Sequence, residues 1–248
     1  MQTARAWVRN LLHRTVLSSG FRLVRAKPFE RSIRRWELTH EPFFFVQVGA
    51  HNGITSDPFH RFLIEGIAWN SVLIEPQTPC VQVLRSVYSD RENLRIVHAA
   101  VGPSQSRGTT APKSTVTLYK IRDDAVGLPH WANQLASLRY EVIASHRDRI
   151  PDIEKWIVAE EVPSRSLAEI VAESGFSRVD LLASDTEGFD YEVVRQIQNL
   201  PSLPQFVYYE HLHLSSEEAA ECVDFLHRLG YRTSAVNNGD TFAQRASS

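Results

Sequence analysis

From position 43 to 48 the chain is a near-continuous apolar run closed by Gly49, the pattern of a strand buried on both faces. Similar short runs recur at 71–74, ending at Glu75-Pro76, and at 94–101, closed by Gly102. Two more run over 179–184, ending at Asp185, and 206–209, ending at Glu210. Amphipathic stretches alternate with them and predict helices over about 58–65, 79–88, 166–173, 189–198 and 217–229. Ser164 or Ser166 is suited to cap the 166–173 helix, and Gly175 to stop it. Such alternation predicts an α/β fold with a mostly parallel sheet covered on both faces. Residues 232–236 and 241–244 flank Asn237-Asn238-Gly239-Asp240, a hairpin signal, so the sheet is expected to end in a C-terminal antiparallel hairpin strand.

Two regions break the rhythm. Residues 103–160 begin as a Ser, Gly, Thr and Pro loop and offer one extra strand at 116–121. They then become rich in His130, Trp131, Tyr140, His146 and Trp156. An insert between strands of an α/β sheet is expected to cover an acceptor pocket. Its aromatics either stack on a ligand or anchor a small helical cap. The other region is a basic leader, residues 1–41, placed ahead of a domain spanning 42–248. Nine of the 27 Lys and Arg residues lie in the first 40 positions, against only Glu30 and Glu37 of the 29 acids. Trp7, Val8, Leu11, Leu12 and Val16 have helical spacing there. They read as a terminal helix packing on its own domain, with peripheral contact to an anionic membrane as the alternative.

Composition narrows the class. A body this acidic lacks the basic stripe of a nucleic-acid surface. No apolar run approaches the ~18–20 residues of a membrane span, and basic residues break up the start, unlike a secretory signal. Cys80 and Cys222 are unclustered and without metal-ligand spacing, which fits a cytoplasmic location.

Ligands of open α/β sheets bind beyond the carboxyl ends of the strands. The first strand delivers Gly49-Ala50-His51-Asn52-Gly53 to that edge, where two glycines let backbone approach a ligand closely. The second delivers Glu75, an acceptor able to take both hydroxyls of a ribose, 22 residues after Gly53. The third delivers Ala99 and Ala100, small enough to leave a slot for an adenine ring. The fourth delivers Asp185-Thr186-Glu187-Gly188, and the fifth Glu210-His211. A dinucleotide loop wants a second glycine where His51 stands, so the site suits a ribose and adenine without a pyrophosphate. S-adenosylmethionine meets that description.

These segments resemble the FkbM-type methyltransferases. The matching residues are 45–53, Leu73-Ile74-Glu75-Pro76, Ala99-Ala100-Val101-Gly102, Asp180 through Asp190, and Tyr209-Glu210-His211. The resemblance covers about residues 42–235 and implies a Rossmann-like class I methyltransferase fold and, usually, O-methylation of natural products, sugars or polysaccharide ends. On it, Gln47, Gly49, His51, Asn52, Gly53, Glu75, Pro76 and Ala100 are expected to bind cofactor. Many relatives carry Asp where Gln47 stands and Asn where His51 stands; Gln47 can still accept a hydrogen bond from the methionine amine, without a charge.

A hydroxyl acceptor needs a base or a metal to stay nucleophilic. His211 is the expected base, with Glu210 or Glu187 orienting it. The alternative is one Mg²⁺-like ion held by Asp185, Glu210 and His211. Two other functions compete: a catalytically silent relative that binds a partner, and another nucleotide-dependent enzyme such as an NAD(P) reductase.

Overall fold

A computed structural model describes residues 27–65, 69–103 and 115–246. The chain divides between Thr39 and His40 into two units. The first carries α1 (Pro28–Glu37), which opens with proline and a Glu30 carboxylate that accepts from the Lys27 N–H at 2.9 Å. The expected helix near residues 5–17 lies outside the described residues, and with it the membrane alternative.

The second unit holds a seven-stranded sheet. Its members are β1 (Phe43–Val48), β2 (Trp69–Glu75), β3 (Leu94–His98), β8 (Leu181–Ser184), β9 (Phe206–Glu210), β10 (Tyr231–Ala235) and β11 (Asp240–Arg245). The order is β10-β11-β9-β8-β1-β2-β3. Only β11 runs antiparallel to its neighbours, β9 and β10. Strand alternation sorts the side chains by face. Val46, Val48, Val72, Ile74, Leu182 and Val207 belong to one aliphatic core. With it pack residues of α5 (Leu167–Ser174), α6 (Asp190–Arg195) and α7 (Ser216–Arg228). Phe43 and Phe45 point the other way, where Phe45 meets Phe59 and Phe59 meets Tyr208, with ring centroids 5.1 and 5.2 Å apart. Gln47 continues that aromatic row and is 6 % exposed.

The cap of α5 is Ser166: its hydroxyl accepts from the Glu169 N–H, and the Glu169 carboxylate takes the Ser166 N–H at 2.8 Å. Gly175 ends the helix at φ 77°. Ser166→Ala is expected to lower stability by about 1 kcal/mol in urea unfolding, with the m-value unchanged.

The third predicted strand is split. Residues 94–98 stay in the main sheet as β3, whereas β4 (Ala100–Val101) leaves it to pair with Ser164 and Arg165 of β7 (Ile157–Arg165). β7 was not anticipated from the sequence. It pairs along its length with β5 (Thr115–Ile121), which also holds β6 (Ala136–Ser137), giving a second sheet in the order β4-β7-β5-β6. Ile121, Leu135, Ile143, Ile150 and Ile153 form a small core of their own, packed by Trp131 and Trp156. Among the described residues no helix is long and apolar enough to cross a membrane.

Candidate active site at the strand ends

The turn after β1 is built by its glycines and by Asn52. Gly49 lies at φ 76°, and a Cβ there would fall 1.7 Å from the Asp185 carbonyl oxygen. Only a glycine lets the ends of β1 and β8 approach so closely. Asn52 Oδ1 accepts from the N–H groups of Ile54 and Thr55, and the Gly53 carbonyl takes the Tyr88 hydroxyl at 2.7 Å. His51 and Ser56 adopt positive φ, an uncommon conformation for residues with side chains, and the His51 N–H donates to Glu75 Oε2 at 2.8 Å.

Glu75, 2 % exposed, therefore sits under the loop. Its Oε1 accepts from the Gln77 N–H at 2.8 Å, leaving lone pairs on both oxygens for further donors. Burial raises its carboxyl to about 7, against the two backbone hydrogen bonds. Glu75, Pro76, Ala99 and Ala100 line a cleft of about 760 Å³ together with Gly49 and His51. The second sheet supplies the opposite wall, through Leu118, Ala136 and Ser137, and Gln134 and Leu138 lie beside them. The insert thus borders the cleft with small and aliphatic side chains. Trp131 and Trp156 hold the insert's own core, and Tyr140 stands edge-on to Tyr119 at 5.5 Å.

A second cleft, of about 730 Å³, adjoins the first through Gly49, His51, Thr55, Ser56 and Asp185. Its walls are acidic: Asp57, Asp185, Glu210 and Asp240, with Gln47 and Tyr208. Tyr208 donates to Asp240 at 2.9 Å. Asp185 is open to the clefts, yet the protein surrounding it, and then the charges of Asp190, Glu187 and Asp240, push its carboxyl well above the ordinary range. Glu210 is raised in the same way, by burial first and then by Asp185, Glu187, Asp190 and Asp240. Burial lifts Asp57 to about 6 although the Phe59 N–H donates to it. Gln47 Oε1, Asp57 Oδ2 and Glu210 Oε2 are all buried without a hydrogen-bond donor.

Behind Asp185, the fully buried Asp190 accepts from the Ser184 hydroxyl at 2.6 Å and the Thr186 N–H at 3.2 Å, fixing the turn that carries Glu187. Glu187 itself has φ 51°, and its carbonyl takes the Ser137 hydroxyl at 2.6 Å.

Of the expected cofactor residues, Gly49, His51, Glu75, Pro76 and Ala100 line the first cleft and Gln47 the second, whereas Asn52 and Gly53 shape the turn. Of the expected catalytic residues, Asp185, Glu187 and Glu210 come together. His211 is elsewhere: its Nδ1 is 3.0 Å from Thr241 Oγ1 and it lines neither cleft. The histidine beside the acids is His213, whose Nε2 lies 3.0 Å from Glu187 Oε2. The chain turns at 211–215, bringing residue 213 rather than 211 to Glu187; the sequence signalled this only through the capping pair Ser215 and Glu218, which marks where the turn must end.

The sheet order, the single antiparallel strand and the strand-end cradle define a Rossmann-like α/β protein of the class I methyltransferase architecture. A family model described as the methyltransferase FkbM domain matches residues 47–233. The chain therefore belongs to the FkbM methyltransferase family. Solved structures similar to it include methyltransferase FkbM from Methylobacillus flagellatus KT, at 13% identity and a TM-score of 0.45, covering 81% of this chain and 42% of that one. A methyltransferase from Geobacter sulfurreducens is 13% identical over 100% of this chain and 97% of that one, with a TM-score of 0.44. Aeropyrum pernix fibrillarin, in complex with natively bound S-adenosyl-L-methionine, is 11% identical over 81% of this chain and 66% of that one, with a TM-score of 0.42. The chain thus spans less than half the length of that FkbM structure. No curated protein matches it.

Proposed function

We propose that the protein is a cytoplasmic S-adenosylmethionine-dependent O-methyltransferase acting on a hydroxyl of a small molecule, sugar or glycan. The observation that carries this reading is the position of Asp185, one carboxylate bordering both the Glu75 cleft and the acidic cleft. The residues of the first cleft fit an adenosine. Glu75 has lone pairs for ribose hydroxyls, and Ala99 and Ala100 leave room for a flat ring. Gln47 Oε1, buried without a donor, fits the methionine ammonium. When bound, the cofactor supplies an electrophilic methyl group.

The chain's own residues do the rest. The insert and the strand ends wall off the junction and hold the acceptor in line with the donor. Asp185 accepts the hydroxyl hydrogen bond and then its proton, a role that replaces His211 on positional grounds. A dinucleotide reading is disfavoured by the loop itself. Its His51 N–H is turned to Glu75, and the next helix, α2 (His60–Ile64), begins seven residues after Gly53, so the loop does not run directly into a helix N-terminus of the kind that receives a pyrophosphate. Both cysteines are free thiols, as a reducing compartment would keep them.

Asp185→Asn tests the assignment. Turnover on a hydroxyl acceptor panel is expected to fall by roughly 10²- to 10⁴-fold, while S-adenosylhomocysteine affinity by calorimetry changes little. Turnover near wild type would remove Asp185 from the chemistry. Cofactor binding without turnover by the wild type on any acceptor would favour a silent binding protein.

A further inference from the structure

We infer that Glu187, Glu210 and His213 form a binding site for one divalent transition-metal cation at the rim of the acidic cleft. Each offers one ligand atom, and these three atoms lie within 4.8 Å of one another. Ligands held about 2.0–2.4 Å from a common ion are separated by that much or less. The three come from three different places: the turn after β8, the end of β9 and the loop beyond it. Local sequence alone does not bring them together.

The hydrogen bonding supports a missing partner. Glu210 Oε2 is buried and has no hydrogen-bond donor, and the buried Glu187 Oε2 has only the His213 imidazole beside it, 3.0 Å away. Buried carboxylates in this state are costly unless a cation meets them. The charges that weigh most on Glu210 are those of acids, namely Asp185, Glu187, Asp190 and Asp240. The cleft that Glu210 borders holds one further buried acceptor without a donor that the cofactor does not account for, Asp57 Oδ2. The geometry of the two turns is also held independently of any ion. Ser137 bonds the Glu187 carbonyl, and a Cβ at Gly188 would press on the His213 carbonyl at 3.0 Å and on Val142 at 2.9 Å. One imidazole with two carboxylates is a ligand set for Mn²⁺, Fe²⁺, Co²⁺ or Zn²⁺, softer than an all-oxygen Mg²⁺ site. The cation's binding stands apart from the methyl-transfer reading; its role rests on that reading. There it would hold the acceptor oxygen near Asp185 and favour loss of its proton.

Mn²⁺ is the probe, added to chelator-stripped full-length protein, with free Mn²⁺ followed by electron paramagnetic resonance and the melting temperature recorded in parallel. One equivalent is expected to bind and to raise the melting temperature. Glu210→Gln and His213→Ala are each expected to weaken binding at least about tenfold, whereas His211→Ala, two residues away on the Thr241 side, leaves it unchanged. Circular dichroism of each variant shows whether it has folded. If His213→Ala is unfolded, His213→Gln and Glu187→Gln take its place. No Mn²⁺ binding by the wild type, or equal losses in His211→Ala and His213→Ala, overturns the site. S-adenosylhomocysteine calorimetry on the same preparation separates the two readings, because cofactor binding without Mn²⁺ binding removes the metal site alone.

Discussion

Glu75→Gln is expected to weaken S-adenosylhomocysteine binding by roughly ten- to a hundredfold and to abolish its pH dependence near neutrality. Hydrogen bonds from ribose hydroxyls to a carboxylate are charge-assisted and worth about 1.5–3 kcal/mol, each 1.4 kcal/mol being about tenfold in affinity. Glutamine keeps the shape but has a single acceptor oxygen. Its NH₂ would face one of the two N–H groups, of His51 or Gln77, that Glu75 now accepts. The pH behaviour follows from burial, which raises the folded carboxyl from 4.5 to about 7. Between those values the unfolded chain has released this proton while the folded chain keeps it. This group's contribution therefore makes the ligand-free protein lose stability as pH rises from 4.5 to about 7, with no further change above. A ligand that donates to the ionised form acts in the opposite sense, so affinity is expected to rise with pH until about 7 and then level off. Calorimetric titrations at several pH values, wild type against Glu75→Gln, check both statements. A wild-type profile as flat as the variant's would show that Glu75 does not meet the nucleoside.

Gly49→Ala carries the largest expected structural effect. The new Cβ would lie 1.7 Å from the Asp185 carbonyl oxygen, a backbone atom that cannot swing aside, and the residue would have to hold φ 76°. Relief requires β1 and β8 to part where they are hydrogen-bonded, the Asp185 N–H to the Val48 carbonyl at 3.0 Å. A loss of about 3 kcal/mol or more is expected in urea unfolding. Cofactor binding is expected to be lost even at temperatures where the variant is folded, because the same displacement moves Asp185 and the loop above Glu75. Gly175→Ala is the comparison: also at positive φ but with nothing within 4 Å of its Cβ, it is expected to cost only about 1–2 kcal/mol. Equal losses at the two positions would mean that backbone conformation, not close approach, makes Gly49 necessary.

The FkbM resemblance was legible because its carriers are local. Apolar runs that end in Gly49, Glu75, Asp185 and Glu210 set both the strands and the strand ends, and burial of those runs is what makes a parallel sheet. Each of these residues reaches the ligand edge by its position in its own strand, so no knowledge of distant partners was needed. The insert was less legible. β7 carries Glu160, Glu161 and Pro163, which weaken a strand pattern, and it forms because β5 and β4 pair on either side of it. Its pairing also explains why the 94–101 run divides near Ala99: β7 takes Ala100 and Val101 as parallel partners once the main sheet has used residues up to His98.

The histidine near the acids shows the same boundary from the chemical side. His211 and His213 are two residues apart, both follow β9, and nothing in their immediate sequence separates a base from a bystander. The hairpin strand decides, since Thr241 of β11 captures the His211 ring while the loop carries His213 back toward Glu187. By itself the sequence determined the main sheet, the residues at its strand ends and the family, because periodicity and strand-end residues act over a few positions. Only the tertiary structure decided which side chains meet beyond that edge, because contacts among Glu187, Glu210, His213 and Asp185 depend on the course of three separate turns packed against one another.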